Sequence, residues 1–248
     1  MNKTIVIVGA TSAIATHCAR LWVRDQPVHL TLVGRDLERL SLVALDLSAR
    51  SPQSVIEVKA IDLLDPIQID LVVAEVTQSR PVDIALIAHG ALGDQRLCES
   101  DLEATQSNLL VNAVSPVLFA EAFCSRMALL NHGTVALIGS VAGDRGRRSN
   151  YVYGAAKGLV TRYAQGLQHR FANTKVKIVL IKPGPTETPM TAQLTANGAK
   201  LASVESVAQG IVRAIAKGLP ECYVPKKWYL IMSIIRHLPR FIFNKLNI

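Results

Sequence analysis

A serine, a tyrosine and a lysine in this sequence have the types and spacing that carbonyl chemistry requires. Tyr153 and Lys157 are four residues apart at the start of a long helical pattern, so their side chains share one helix face. A free phenol, with a pKa of about 10, exchanges protons poorly near neutrality, and a neighbouring ammonium lowers that pKa by stabilising the phenolate. Ser140 ends an apolar strand pattern upstream and could donate a hydrogen bond to an oxygen that gains negative charge. This set predicts proton transfer to a carbonyl oxygen, and Asn112 could anchor a water chain that delivers protons to Lys157.

The first strand pattern runs into a turn of small residues, as a nucleotide-binding turn would. Small side chains there let the backbone approach a pyrophosphate, which then lies at the N-terminus of the next helix. The residues expected to form this phosphate site are Gly9, Thr11, Ser12, Ala13 and Ile14. An ordinary strand-to-helix turn is the alternative interpretation, because a short run of small residues is weak evidence by itself.

The residues that follow the second and third strand patterns bear on the choice of cofactor. An acid at the tip of the second strand would bind a ribose 2′-hydroxyl, whereas an arginine accommodates a 2′-phosphate. Gly34 and Arg35 stand where the acid is expected, which favours NADP(H), while the adjacent Asp36 leaves NAD(H) open. Asp62 and Leu63, just past the third strand, are placed to contact adenine, although Asp62 could equally be a turn or helix-capping acid.

The composition of the 248 residues suits one α/β domain and disfavours several other classes of protein. The formal net charge is +8, and the excess lies in an arginine cluster at 145–148 and in the chain after residue 225. These cations are not interleaved with stacking aromatic residues, which disfavours nucleic-acid binding. The four cysteines have neither a paired nor a metal-ligand spacing, and the N-terminus has the pattern of a strand rather than an export signal. We therefore expect a cytoplasmic protein with reduced thiols and no bound metal.

Apolar segments of strand length alternate with longer helical patterns along the chain. Strands are predicted at residues 4–8, 28–33, 55–59, 83–88, 134–139, 177–181 and 222–224. Helices are predicted at residues 13–24, 37–49, 67–78, 102–129, 151–171 and 206–217. This alternation predicts right-handed βαβ units, and hence one doubly wound Rossmann domain with a seven-stranded parallel sheet, at residues 1–225. Residues 183–203 are the longest predicted loop and a candidate lid, and residues 226–248 form an apolar basic tail.

Together these motifs resemble the short-chain dehydrogenase/reductase family over almost the whole chain. The glycine turn, the Ser140-Val141-Ala142-Gly143 strand end and the Tyr153-Gly154-Ala155-Ala156-Lys157 segment match the pattern of that family. The resemblance implies an NAD(P)-dependent oxidoreductase whose catalytic core is the serine, the tyrosine and the lysine, the last two also contacting the cofactor. It implies further cofactor contacts after the fourth and sixth strands, from His89, Gly90, Pro183, Gly184, Thr186 and Thr188. Family members often pack through the helices predicted at 102–129 and 151–171, so we expect a homodimer or homotetramer.

The chain departs from the family pattern at two places. The two later glycines of the phosphate turn are Ala13 and Ala15, which weakens the fingerprint but keeps the turn small. His89 stands where the family has an alanine. We expect a buried, hydrogen-bonded histidine there, and a pH-sensitive cofactor contact is the alternative.

Two features outside the family core bear on the substrate. Arg145, Arg147 and Arg148 lie between the serine and the tyrosine and could clamp a phosphate, or else form a solvated loop or a subunit contact. The tail is too interrupted by charges to provide the roughly 20 apolar residues of a membrane span. Its mixture of aromatic, aliphatic and basic residues suits the inner face of a membrane, although it could instead cover the pocket or a subunit interface.

Segments 88–90 and 143–153 and the tail resemble one branch of the family, that of the decaprenylphosphoryl-2-keto-erythro-pentose reductase. That branch reduces a keto-sugar carried on a polyprenyl phosphate. We therefore expect NADPH-dependent reduction of a keto group on a lipid-linked or nucleotide-linked sugar. A soluble reductase of acyl-chain or small ketone substrates is the alternative enzyme. A non-catalytic NADP(H)-binding sensor is the alternative of another class, which the complete Ser-Tyr-Lys set disfavours.

Overall fold

The computed structural model describes residues 2–192 and 201–246. A parallel sheet of seven strands forms its centre, in the spatial order β3-β2-β1-β4-β5-β6-β7. The strands are β1 Lys3–Val8, β2 Val28–Gly34, β3 Val55–Ala60, β4 Ile84–Ile87, β5 Thr134–Ile138, β6 Lys177–Pro183 and β7 Glu221–Val224. The strand order reverses between β1 and β4, and open α/β sheets bind ligands at such a point. The predicted doubly wound sheet is confirmed.

Helices cover both faces of the sheet. They are α1 Ala13–Asp25, α2 Leu37–Arg50, α3 Pro66–Ser79, α4 Gln95–Ser100, α5 Leu102–Leu109, α6 Ser115–Leu130, α7 Tyr151–Arg170, α8 Val204–Lys217, α9 Lys227–His237 and α10 Arg240–Phe243. Successive side chains of a strand point to opposite faces, so Ile5 and Ile7 pack against α1, α2 and α8. Val6 and Val8 pack against α3, α6 and α7. Burial on both faces explains why β1 is apolar at every position from Ile5 to Val8.

The helix predicted at 102–129 is interrupted. A π-helical turn, Leu110–Val114, separates α5 from α6, and a short extra helix, α4, precedes α5. Pro116 has no amide hydrogen, so it cannot donate to the carbonyl of Asn112 as a continuous α-helix would require. The π turn therefore lies where the sequence removes an α-helical hydrogen bond, and π turns are frequent at functional sites.

The helical stretch Leu102–Leu130 is long and apolar enough to cross a membrane by length and composition. Of its most apolar window, 44% is buried inside the protein. Phe119, Phe123 and Met127 of α6 belong to the core on one face of the sheet. Packing in the core therefore accounts for the buried part of this apolar stretch.

The tail forms two helices that the sequence pattern did not predict, α9 and α10. The inner face of α9 packs on the protein through Met232, which contacts Val141 and Tyr223. Its opposite face is exposed. Residues 193–200 of the predicted lid and residues 247–248 of the tail lie outside the described residues.

Candidate active site

The turn after β1 forms a cradle that only a glycine can complete. Gly9 has a φ of 79°, in the left-handed region that favours glycine. A Cβ on Gly9 would lie 2.6 Å from the backbone nitrogen of His89. Ser12, the N-cap of α1, makes no side-chain capping hydrogen bond, so the first amides of α1 are available to an anion. The groove above this turn is lined by all five predicted phosphate-site residues, Gly9, Thr11, Ser12, Ala13 and Ile14.

The tip of β2 brings two arginines to the same groove. Arg35 and Arg39 line it beside Asp36. Asp36 is the N-cap of α2, and one of its carboxylate oxygens accepts a hydrogen bond from the Arg39 amide at 3.0 Å. Because capping engages this carboxylate, the two guanidinium groups dominate the charge at this end of the groove. Sequence reasoning missed Arg39, which the capping pattern places in the first turn of α2.

The loop after β3 forms the opposite wall of the groove. Leu63 and Leu64 line it. The Asp62 carboxylate instead accepts a hydrogen bond from the Leu64 amide at 2.9 Å, and the Asp62 side chain is exposed. This geometry agrees with the turn-acid alternative for Asp62, and the adenine contacts expected of Asp62 and Leu63 stay predictions.

Ser140, Tyr153 and Lys157 line one cleft at the carboxyl edge of the sheet. The Lys157 ammonium donates to the carbonyl of Ile138 at 3.0 Å and lies 5.8 Å from the centre of the Tyr153 ring. The Ser140 hydroxyl oxygen accepts from the Ala142 amide at 3.1 Å. Its own proton therefore remains available for an oxygen in the cleft. The cleft shares Ser12, Ile14, His89, Gly90, Thr188 and Met190 with the cofactor groove, so the two are continuous.

The turn that carries Ser140 packs directly on the helix that carries Tyr153 and Lys157. A Cβ on Gly143 would lie 2.6 Å from the backbone carbonyl carbon of Lys157. Since no side chain fits there, Gly143 allows the serine and the lysine to face the same space. Packing alone therefore requires a glycine at position 143, independently of any motif.

Burial dominates the electrostatics of the cleft. It raises the pKa of Tyr153, and a hydrogen-bonding interaction with Ser140 opposes the shift. It also lowers the pKa of Lys157 to about 8. The sequence predicted a lowered phenol pKa, which these directions correct, because removal of the phenolate from water outweighs the hydrogen bond with Ser140. Tyr153 is therefore held in its protonated form at neutral pH.

Asn112 is fully buried in the π turn. Its side-chain amide donates to the carbonyl of Ala91 at 2.8 Å, and its oxygen accepts from the Ala91 amide at 3.0 Å. A Cβ on Gly90 would lie 2.8 Å from this oxygen and 3.5 Å from the Lys157 nitrogen. Asn112 therefore shapes the segment that covers the lysine, and the water chain that we expect there stays a prediction.

The segment after β6 closes the cleft from the other side. Its four predicted cofactor residues line the cleft: Pro183, Gly184, Thr186 and Thr188. The Thr186 hydroxyl donates to the Gly184 carbonyl at 2.9 Å, which stiffens the turn. Thr188 begins a short 3₁₀ turn, Pro189–Thr191, and reaches both the cleft and the cofactor groove.

Of the three predicted substrate arginines, one lies in the cleft. Arg147 lines it, and its Nε is closed to solvent with no hydrogen-bond partner among the described residues. The Arg145 guanidinium instead donates to the carbonyls of Ile235 and Leu238 at 2.5 Å and 2.7 Å, and so is occupied by the tail. Arg148 is exposed on the same loop, outside the cleft lining.

Comparison with known proteins identifies the family of this chain. The family model described as short chain dehydrogenase matches residues 3–199. The chain belongs to the short-chain dehydrogenase family. An uncharacterized oxidoreductase of Streptomyces coelicolor is 29% identical over 249 residues, which cover 98% of this chain and 96% of that protein. An uncharacterized oxidoreductase of Mycobacterium tuberculosis is 29% identical over 244 residues, with the same 98% and 96% coverage.

Solved structures share the fold of this short-chain dehydrogenase at low sequence identity. A short-chain dehydrogenase from Sphingobium yanoikuyae in complex with NADPH has a TM-score of 0.82 at 20% identity, covering 96% of this chain and 97% of that one. A short chain dehydrogenase from Burkholderia cenocepacia in complex with NADP has a TM-score of 0.82 at 16% identity, covering 100% and 98%.

The residues present fit a nicotinamide dinucleotide, and the chain is an NAD(P)-dependent oxidoreductase. The fit rests on the Gly9 cradle, the free N-terminus of α1 and the continuity of the groove with the cleft. When bound, the dinucleotide supplies or accepts the hydride. The positions of Ser140, Tyr153 and Lys157 in one cleft are compatible with the roles expected of them. In these roles Tyr153 exchanges a proton with the substrate oxygen, Ser140 stabilises charge on that oxygen, and Lys157 holds positive charge beside the phenol; they stay predictions.

His89 is a buried neutral histidine in this short-chain dehydrogenase. Its Nε2 lies 2.8 Å from the Ser115 hydroxyl, whose own proton goes to the Leu63 carbonyl at 2.5 Å. The serine oxygen therefore accepts from His89. Burial, together with the charges of Lys157 and Arg35, lowers the pKa of His89 to about 3. Because a histidine with this pKa does not titrate near neutrality, the structure favours the hydrogen-bonded interpretation over the pH-sensitive one.

Three further cleft residues escaped sequence analysis. Leu92, Asn150 and Met190 line the cleft. The Asn150 side-chain oxygen is buried, with no hydrogen-bond partner among the described residues. Asn150 is the N-cap of α7, and its side chain makes no capping hydrogen bond. Its place directly before Tyr151, at the start of the predicted helix, was the sequence signal that could have identified it.

Proposed function

We propose that this short-chain dehydrogenase reduces a keto group with hydride from NADPH, on a sugar joined through phosphate to a lipid or a nucleotide. The observation that carries the proposal is the Arg147 guanidinium, which lines the same cleft as Tyr153 and whose Nε is closed to solvent. Burial lowers the pKa of Arg147, and Asp144 opposes the shift. Within the described ranges no carboxylate forms an ion pair with Arg147. A half-buried cation without a paired acid is suited to an anionic ligand.

Two further features support a hydroxylated carbonyl substrate. Tyr153 stays protonated at neutral pH because burial raises its pKa, and the protonated phenol is the form that donates to a ketone oxygen. The unpartnered Asn150 oxygen is an acceptor for a substrate hydroxyl. This chemistry agrees with the branch of keto-pentose reductases that the sequence resembles.

Replacing Arg147 with alanine is expected to weaken anion binding in the cleft by about tenfold or more, the value of one charge-assisted hydrogen bond. The measurement is calorimetric titration of inorganic pyrophosphate into protein saturated with NADP⁺, which keeps pyrophosphate out of the cofactor groove. Arg162→Ala, at an exposed position of α7, is the matched control. Absence of pyrophosphate binding by the unaltered protein, or equal affinity in Arg147→Ala, would overturn the proposed substrate class.

The preference for NADPH is proposed to come from Arg35 and Arg39. Arg35→Ala should raise the Kd for NADPH by about 10- to 100-fold, because a charged hydrogen bond to the 2′-phosphate is lost. The Kd for NADH should be nearly unchanged, since that cofactor lacks the 2′-phosphate. Fluorescence titration with both cofactors measures this, and equal losses for the two would contradict the assignment.

We also propose that the outer face of the tail docks on an anionic lipid surface at the cytoplasmic side of a membrane. Its exposed apolar residues are Tyr229, Leu230, Ile234, Phe241, Ile242 and Leu246. Its cations are Lys226, Lys227, Arg236, Arg240 and Lys245, and no acidic residue follows Glu221. The combination of apolar and basic side chains matches the interface of an anionic bilayer. A homodimer or homotetramer through α5, α6 and α7 stays a prediction.

The double variant Leu230→Gln/Ile234→Gln should lose flotation with phosphatidylglycerol liposomes. Leu230 and Ile234 are 65% and 59% exposed, so the fold should tolerate glutamine at both sites. Burial of such side chains in lipid contributes about 1.5–3 kcal/mol each, so their loss should release most of the protein. Leu42→Gln/Leu45→Gln on α2, at sites 62% and 68% exposed, is the matched control. Flotation that both variants retain would argue against docking through this face.

A further inference from the structure

Three separate walls of the catalytic cleft rest on the inner face of α9. Val141, the residue after Ser140, packs on Met232. A terminal nitrogen of Arg147 lies 3.6 Å from the Met232 sulfur. A Cβ on Gly184 would lie 2.0 Å from the Trp228 ring nitrogen, so the indole is pressed against that backbone. Val141, Arg147 and Gly184 all line the cleft, whereas Met232 and Trp228 lie behind it.

The body of the protein holds α9 at both ends. Arg145 donates to the carbonyls of Ile235, in the last turn of the helix, and of Leu238, its C-cap. The same guanidinium stacks on Phe243 of α10, 3.8 Å from the ring centre. At the other end, Tyr229 meets Tyr223 of β7 edge-to-face, with ring centres 5.6 Å apart. A helix fixed at both ends can act as a rigid support.

Met232 is the centre of this support. It is 0% exposed, and it contacts both Val141 of the serine turn and the Arg147 guanidinium. A thioether is only a weak hydrogen-bond acceptor, so the sulfur does not satisfy the cation or replace an anion. Its effect on Arg147 is steric, since it occupies the space behind the guanidinium and leaves the cleft as the side open to a partner.

We propose that Met232 is a positioning residue that holds Arg147 toward the cleft, so that the tail helix sets the affinity for the anionic part of the substrate. This inference rests on the proposed function. Without Met232, the guanidinium would have a cavity to enter, and its ordering on binding would add to the free-energy cost of association. The effect should fall on the anion and spare the dinucleotide, whose phosphate site lies at α1.

The test compares Met232→Ala, Met232→Leu and Ile235→Ala. Ile235 packs on the same cluster, and among the described residues the side chain recorded against the Arg147 guanidinium is that of Met232. Ile235→Ala therefore removes a similar apolar volume while leaving the Met232 contact with the guanidinium in place. Pyrophosphate affinity of NADP⁺-saturated protein and NADPH affinity are measured for each variant, together with Tm. Met232→Ala should weaken pyrophosphate binding about threefold to tenfold, the cost of ordering one long side chain. Its NADPH affinity should stay unchanged, and Met232→Leu should restore pyrophosphate binding because it refills the space.

The outcomes separate this inference from the function on which it rests. If Arg147→Ala weakens pyrophosphate binding and Met232→Ala does not, Met232 is not a positioning residue and the proposed substrate class stands. If Ile235→Ala and Met232→Ala lower both affinities and Tm alike, the role of the methionine is only structural and the inference is overturned. If Arg147→Ala itself has no effect, the proposed function fails first.

Discussion

Replacing Tyr153 with phenylalanine is expected to lower turnover of a ketone by about a thousandfold, within the 10²–10⁴-fold range that general-acid catalysis supplies. The variant removes one oxygen from a side chain whose ring is held by the packing of α7 on the serine turn. Burial raises the pKa of that hydroxyl, so it is protonated at neutral pH, and it lines the same cleft as Ser140 and Lys157. Phenylalanine leaves no hydroxyl at this position, while the Lys157 nitrogen keeps its hydrogen bond to the carbonyl of Ile138.

Single-turnover oxidation of NADPH with a ketone measures the chemical step, and fluorescence titration measures cofactor binding separately. NADPH affinity should be nearly unchanged, because the phosphate groove is formed by other elements. Tyr151→Phe is the matched control, since Tyr151 is exposed two residues earlier on the same helix. Normal single-turnover rates in Tyr153→Phe would show that the tyrosine is not the proton donor. Lys157 would then be the alternative donor.

The meeting of Ser140, Tyr153 and Lys157 in one cleft could be predicted because their geometry is local. Tyr153 and Lys157 share a face of α7 through helical spacing alone, and Ser140 follows a strand whose carboxyl end must reach the same edge. The seven strands were predictable for a similar reason, since each is an apolar segment of strand length buried on both faces. The sign of the Tyr153 pKa shift was not, because it depends on how much water the folded cleft excludes.

The loop that carries Arg145 and Arg147 shows where local sequence patterns no longer predict the role of a residue. Arg145 and Arg147 are alike in type and two residues apart, yet one binds the end of α9 and the other faces the cleft. Their partners lie 85 to 93 residues later in the chain, in the tail. Because the tail is apolar overall, its sequence pattern does not show which of its faces packs on the protein. Only the docking of α9 on the body separates the two roles.

The second large effect, on stability, is expected at a buried ion pair beside the active site. Lys182 of β6 donates to the Asp144 carboxylate at 2.7 Å, and the two side chains are 1% and 2% exposed. The Tyr223 hydroxyl donates to the other Asp144 oxygen at 2.7 Å, and Glu221 lies 3.1 Å from the Lys182 nitrogen. Burial, and then the bond to Asp144, raise the pKa of Tyr223. Asp144 thereby ties the 3₁₀ turn Val141–Asp144, which follows Ser140, to two neighbouring strands.

Asp144→Ala is expected to lower the free energy of unfolding by about 3 kcal/mol, the lower end of the range for breaking a buried pair from one side. The lower end applies because Lys182 keeps Glu221 and the Tyr223 hydroxyl as partners, so its charge is not wholly uncompensated. Urea denaturation measures the change. Asp46→Ala is the matched control, because Asp46 pairs with Arg20 and Arg50 at the surface, where such pairs contribute less than about 1 kcal/mol.

The double variant Asp144→Leu/Lys182→Met separates the two ways in which Asp144 could act. If the destabilisation comes from a lysine left buried without its acid, removal of both charges should recover much of the lost stability. If it comes from the lost attachment of the serine turn, the double variant should stay as unstable as Asp144→Ala. Equal stability of Asp144→Ala and the unaltered protein would contradict both accounts. Turnover adds a second discrimination, because a loosened serine turn lowers the rate even in a double variant whose stability has recovered.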